Sequence, residues 1–290
     1  MNNYGALMKK SFRGLFFMLL FVFISAGCGS ISKSNPTSTN SPTAFSISTK
    51  ITYVGNSGFM ITVGDKKVLI DALYEAFEHG YQIPPAVMES LMNATPPFDN
   101  IDLILATHKH ADHFSVITVR RYLEKFPEVK FASTAQITNM LVEFGDRVIT
   151  LDAKVGEPVE VNIDGIEVEA IYLSHGVPLN GSSETINNAY VAKIDGVTFF
   201  QTGDVDPNQF TMENLQGYQL ADKSIDVAFI QHYLLSDSTY SDVVNDLINS
   251  STLIPIHYEY NNGIMDCAKI KEYYPDAVYF AKEMQTWQMP

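Results

Sequence analysis

The stretch His108-Lys109-His110-Ala111-Asp112-His113 places four side chains that can bind a transition metal within six positions. Residues 101–106 before it read as a buried strand, and 114–126 after it read as a helix. In extended chain, residues two apart share a face, so His108 and His110 can reach one ion together. As the chain turns toward the helix, Asp112 and His113 bring a carboxylate and another imidazole beside that ion. Such ligands suit zinc, and also iron, manganese or nickel. The plainer reading of these six residues alone is a polar strand-to-helix turn.

Further candidates each follow an apolar, strand-like run. His175 follows 166–173, Asp204 follows 197–200, and His257 follows 253–256. Strand ends meet along one edge of a sheet, where α/β proteins place their chemistry. Five of the seven histidines thus join one constellation. His232 follows the run 225–230 and is expected near the same edge, as a general acid or a substrate-binding group. A capping or solvent-facing role is its alternative. His79, in the loop 72–83, reads as surface loop.

The elements that must position these groups are short. Residues 48–54, 59–63 and 67–71 read as strands, with 129–132 and a strand near 147–149 further on. Hairpins are expected around Asp164-Gly165 and Asp195-Gly196. Strands at 225–230, 252–256 and 277–280 and helices at 84–93, 134–144, 240–249 and 266–274 complete the reading. Hairpins mixed with strand–helix–strand units imply mixed sheets covered by helices, a layered α/β architecture. The connection 72–100 is expected to form a wall or lid over the site.

The order HKHADH, lone His, Gly-Asp, lone His is similar to the motifs of the metallo-β-lactamase superfamily, over roughly residues 47–290. The resemblance implies an α/β fold, a four-layer αβ/βα sandwich, with a dinuclear site at one edge of two facing sheets. It implies that His108, His110 and His175 hold a first ion, that Asp112, His113 and His257 hold a second, and that Asp204 bridges them. The ions would be two divalent cations, zinc first, with manganese or iron as alternatives. Asp71 matches an aspartate that orients a ligand histidine from behind. The implied activity is metal-dependent hydrolysis by a metal-bound hydroxide, with Asp112 and Asp204 at its centre and a small-molecule substrate of phosphodiester or lactone type. A tethered metal-binding or scaffold protein of the same fold is the alternative. Lys109 stands where flavodiiron relatives have Glu. The chain looks most like the branch of L-ascorbate-6-phosphate lactonase and N-acyl-phosphatidylethanolamine phospholipase D. It departs from that branch at Gly55-Asn56, where Gly-His is usual.

The N-terminal end differs from the rest. Lys9, Lys10 and Arg13 precede an apolar run, 15–24, which is short for a membrane span and suits a signal peptide. Ser25-Ala26-Gly27-Cys28 resembles a lipobox, so residues 1–27 read as a signal peptide and Cys28 as a lipidated N-terminus. An uncleaved signal anchor is the alternative. Residues 28–46, rich in Ser, Thr, Asn and Pro, read as a disordered tether, and 47–290 as the hydrolase domain. The expected location is outside the cytoplasm, anchored to the cell membrane or outer membrane. Residues 1–27 hold three of the 19 basic residues and none of the 33 acidic ones, so their removal leaves a balance of −17. Such a charge repels nucleic-acid backbones, and no nucleic-acid partner is expected. With Cys28 carrying lipid, Cys267 has no disulfide partner and reads as a small buried residue. The sequence leaves the oligomeric state open.

Overall fold

Strand-forming runs of alternating polarity at each end of the chain build two sheets whose apolar faces meet. The computed structural model describes residues 48–75, 82–176, 184–258 and 267–290. The proposed signal peptide, Cys28, the tether and His79 lie outside these. Among the described residues no helix is long and apolar enough to cross a membrane.

Strands β1 (Thr49–Gly55), β2 (Gly58–Val63) and β3 (Lys66–Ile70) form an antiparallel meander. From β3 the sheet continues in parallel through β4 (Leu103–Ala106), β5 (Lys130–Ser133) and β6 (Val148–Thr150). The second sheet starts as an antiparallel meander of β7 (Val159–Ile163), β8 (Ile166–Tyr172), β9 (Asn188–Ile194) and β10 (Val197–Gln201). It continues in parallel through β11 (Val227–Gln231) and β12 (Thr252–Ile256). The hairpins at Asp164-Gly165 and Asp195-Gly196 form as expected. Both residues of each pair take positive φ, which matches the twist of the strands they join.

Alternation along the strands assigns each side chain to a layer. Ile51, Phe59, Ile61 and Leu105 of the first sheet meet Val168, Phe199, Phe229 and Ile254 of the second between the sheets. Met60, Leu69, Ile104 and Phe131 point outward and pack under α1 (Pro85–Met92) and α2 (Val116–Lys125). Phe200, Ala228 and Ile230 point outward on the other side. There they are covered by α4 (Met212–Leu215), α5 (His232–Leu235) and α6 (Cys267–Tyr273). The α3 turn is Ala135–Thr138. Helix, sheet, sheet, helix is the four-layer αβ/βα sandwich.

Several elements depart from the sequence reading. The expected helix over 134–144 stops at α3, because Leu141 leaves helical geometry and Gly145 sits at φ 55° in the 3-10 turns that follow. The helix at 240–249 is a 3-10 turn and then a π-helical turn, Val243–Ile248. No strand forms at 277–280. That segment makes one bond to β12, Val278 N to Leu253 O at 2.9 Å, and commits Phe280 to the space between the sheets. The final strand is β13 (Thr286–Gln288), paired with β1. The described part of the 72–100 connection packs on the outer face of the first sheet through Leu73, Val87 and Leu91. Cys267 is half-buried at the start of α6 rather than buried.

Candidate metal centre

Every sequence-identified site residue among those described follows a strand: Asp71 after β3, 108–113 after β4, His175 after β8, Asp204 after β10, His232 after β11 and His257 after β12. The two sheets contribute jointly, so the site lies across the seam between them. Ser115 caps α2 by accepting from Thr118 N at 3.2 Å, a bond worth about 1 kcal/mol that ends the metal-motif turn cleanly.

Seven side chains form two adjacent groups that could each hold an ion. His108, His110 and His175 make one, and Asp112, His113, Asp204 and His257 make the other, with the ligand atoms of each group within 4.8 Å of one another. Asp204 stands between the groups. Its Oδ2 lies 3.0 Å from His257 Nε2, 3.4 Å from His113 Nε2, 3.7 Å from His175 Nε2 and 3.8 Å from His108 Nε2. Asp112 Oδ2 lies 3.6 Å from His113 Nε2 and 3.5 Å from His257 Nε2. His257 holds its ring there from a left-handed backbone, φ 61°, a strain of about 1–3 kcal/mol of the kind concentrated at functional sites.

Hydrogen bonds behind the site decide which ring nitrogens face it. The Asp71 carboxylate accepts four hydrogen bonds, one at Oδ1 and three at Oδ2. It takes Thr107 N and the Thr107 hydroxyl at 2.8 Å each, Gln201 Nε2 at 3.1 Å, and His113 Nδ1–H at 2.9 Å. Because the Thr107 proton goes to Asp71, the Thr107 oxygen accepts from His108 Nδ1–H at 3.0 Å. One carboxylate therefore fixes the Nδ1 proton of a histidine in each group, and both Nε2 atoms face inward. Sequence reading anticipated Asp71 behind one histidine but not the Thr107 relay to a second.

The metal fit rests on the consequence. The Nε2 atoms of His108, His113 and His175 are buried and have no hydrogen-bond partner. A buried polar atom left unpaired costs about 1–3 kcal/mol, so three on one centre are expected only where a ligand completes them. Two groups of imidazole and carboxylate, with aligned lone pairs, suit divalent transition ions.

Electrostatics separates the groups in the metal-free chain. Burial, then the neighbouring histidines, lowers His108 and His110. Burial also opposes charge on His113 and His257, but Asp204 outweighs it. His113 is raised well above the usual imidazole range, and His257 to about 9. Burial pushes against the Asp204 charge as well, yet His257 and His113 hold that carboxyl well below its usual range. Asp112 is lowered for the same reason, by His257 and His113 against burial.

Sequence reading missed the residues that hold the ligands from outside. Asn187 Oδ1 accepts Asp204 N at 3.1 Å, and Gln231 Nε2 donates to Asp204 Oδ1 at 3.3 Å. Gly203, at φ 58°, leaves room for this, since a Cβ there would collide with Asn187 Oδ1 and Thr107. Asn56 Nδ2 donates to Asp112 Oδ2 at 3.2 Å, and Thr185 Oγ1 lies 3.2 Å from His110 Nε2. His232 is partly buried beside Tyr233, with ring centroids 5.6 Å apart. Burial and then His257 lower its pKa to about 4, so it is neutral at physiological pH.

Comparison with known proteins agrees with this geometry. The family model described as "Beta-lactamase superfamily domain" matches residues 50–257. A UPF0173 metal-dependent hydrolase of Pyrococcus furiosus is 27 % identical over 214 residues, covering 72 % of this chain and 84 % of that one. Among solved structures, the metallo hydrolase Igni18 of Ignicoccus hospitalis superimposes with a TM-score of 0.56 at 17 % identity, covering 84 % of this chain and 99 % of its own. The metallo-beta-lactamase fold protein YhfI of Bacillus subtilis does so with a TM-score of 0.55 at 14 % identity, covering 84 % and 100 %. Sequence motif, layered sheets and matched domain lead to one assignment: the chain belongs to the metallo-β-lactamase superfamily.

Proposed function

We propose that this chain is a metal-dependent hydrolase acting on a small molecule, a phosphodiester or a lactone-type ester. The observation that carries the reading is the pair of adjacent ligand groups with three buried, unpartnered imidazole nitrogens aimed between them. The naming of the Pyrococcus relative as a metal-dependent hydrolase agrees with it.

His108, His110 and His175 would hold one ion and Asp112, His113 and His257 a second, with Asp204 between them; zinc suits the donor set, as do manganese and iron. When bound, such ions polarise the bond under attack and bring water closer to ionisation at neutral pH. The protein's own part is to fix the ligands and manage protons. Asp71 and Thr107 hold the tautomers of His113 and His108. Asp112 offers Oδ2 as a proton acceptor at the rim of its group. His232, neutral and within the electrostatic reach of His257, is assigned to substrate contact, where its ring N–H can donate a hydrogen bond to a leaving oxygen.

The chain is further read as exported and lipid-anchored at Cys28 to the cell membrane or outer membrane. Support comes from the basic residues Lys9, Lys10 and Arg13, the apolar run 15–24 and Ser25-Ala26-Gly27-Cys28.

The test is turnover of phosphodiesters, lactones, thioesters and lactams by metal-loaded and chelator-treated protein. Turnover of an ester class that disappears on chelation and returns with zinc or manganese is the expected result. Stoichiometric metal uptake without turnover of any class would instead favour a metal-binding scaffold.

A further inference from the structure

The turn between β1 and β2 carries Gly55-Asn56-Ser57-Gly58. It lies against the end of β3, so closely that a Cβ on Gly58 would stand 2.6 Å from the carbonyl oxygen of Asp71. This packing delivers Asn56 into the site from the first sheet. Asn56 is buried, and its backbone is left-handed at φ 48°, a conformation Asn tolerates better than most residues. Its Nδ2 donates to the main-chain oxygen of Asp112 and to Asp112 Oδ2, at 3.2 Å each. Its Oδ1 is buried and has no hydrogen-bond partner among the described residues.

Both side-chain protons of Asn56 therefore go to one residue, and among the described residues the amide makes no other hydrogen bond. A buried amide with an unpaired oxygen is destabilising, a cost the fold would avoid with an apolar residue there. The reversed amide would set its oxygen against a carboxylate, so the orientation is determined. Gripping the carbonyl and the carboxylate of the same residue fixes both the backbone and the side-chain rotamer of Asp112. Oδ2 is thereby kept toward His113 and His257.

We propose that Asn56 is a positioning residue for Asp112, which sets how tightly the group Asp112, His113, Asp204 and His257 takes its ion. The proposal rests on reading that group as an ion site. Ligand-holding partners of this kind typically contribute about 10- to 100-fold in metal affinity.

The test is cobalt(II) titration of the full chain, followed by its electronic spectrum, with Asp112→Ala marking which uptake step belongs to the second group. Asn56→Gly removes the amide and keeps the positive φ. Asn56→Asp keeps size and φ but turns a donor into an acceptor. Both should weaken the step that Asp112→Ala abolishes by about 10- to 100-fold and leave the other step unchanged. Equal weakening of both steps by Asn56→Gly would show a general loosening of the site and overturn the proposal. Wild-type affinity in either variant would overturn it as well. A wild-type chain lacking a second uptake step would remove the ion site itself, and the proposal with it.

Discussion

The Thr107 hydroxyl accepts the Nδ1 proton of His108 at 3.0 Å because its own proton is committed to Asp71 at 2.8 Å. The pair ties the three-imidazole group to the same carboxylate that holds His113. Thr107→Val keeps the shape and deletes the relay. It should lower cobalt or zinc affinity of the three-imidazole group by about 10- to 100-fold, while the fold, followed by circular dichroism, persists. Unchanged affinity would show that the tautomer of His108 is set elsewhere.

Asp71→Asn should act on both groups. The amide nitrogen must face at least one of the donors Thr107 N, Gln201 Nε2 or His113 Nδ1. A loss of about 1–3 kcal/mol in denaturant stability is expected in the metal-free chain, because a buried donor is left unpaired. Both metal-uptake steps should weaken. Weakening of one step alone would mean that the Thr107 relay transmits nothing.

Metal uptake should release protons and strengthen as pH rises. His257 is raised to about 9 chiefly because Asp204 outweighs the effect of burial, and His113 is raised by the same carboxylate. At neutral pH His257 carries a proton that an ion must displace. Affinity at the second group should therefore increase by about tenfold per pH unit for each proton displaced, up to the His257 pKa. The metal-free fold shows the opposite sign. The His257–Asp204 pair stabilises it fully below the ordinary imidazole pKa of about 6.5, and that contribution is lost as pH rises through the folded value. Calorimetry in buffers of differing ionisation heat reads the proton release; none at neutral pH would contradict the electrostatics.

Asp112→Ala should remove most hydrolytic activity, by at least about 100-fold in kcat, since it takes away both a ligand and a proton acceptor. The first group keeps its three imidazoles, so one equivalent of metal should still bind. Normal turnover by this variant would rule out the mechanism.

Cys28→Ala should abolish acyl modification and release the chain from membranes or leave it unprocessed, as read by mass spectrometry of the fractionated protein. Membrane retention with an unmodified, uncut N-terminus would identify a signal anchor instead.

Much of the site was legible because its signals are local. HKHADH sits between a buried strand and a Ser-capped helix, and each remaining candidate ligand follows an apolar run that folds as a strand. Asn56, Thr107, Asn187 and Gln231 left no such signal. They act through hydrogen bonds to residues distant in the chain, and a polar residue at a strand end looks the same whatever it holds. Asn56 alone was visible, as a departure from a family pattern, without indication of its purpose. Strand β13 was missed because three residues carry no usable periodicity. The helix expected at 240–249 became 3-10 and π turns, where packing of Val243, Val244 and Ile248 prevailed over local preference.

The candidate ligands also cross the seam between the sheets. His108, His110, Asp112 and His113 hang from the first, and His175, Asp204 and His257 from the second. Bound ions would thus crosslink the early and late parts of the chain, closing a long loop and restricting the unfolded ensemble much as a disulfide does. Here the described residues offer one free cysteine and no such bridge. The second group stays incomplete until β12 has docked, so capture of an ion there would come late in folding. Ion loss from that group would in turn come early in unfolding, so the durability of the chain would follow metal supply.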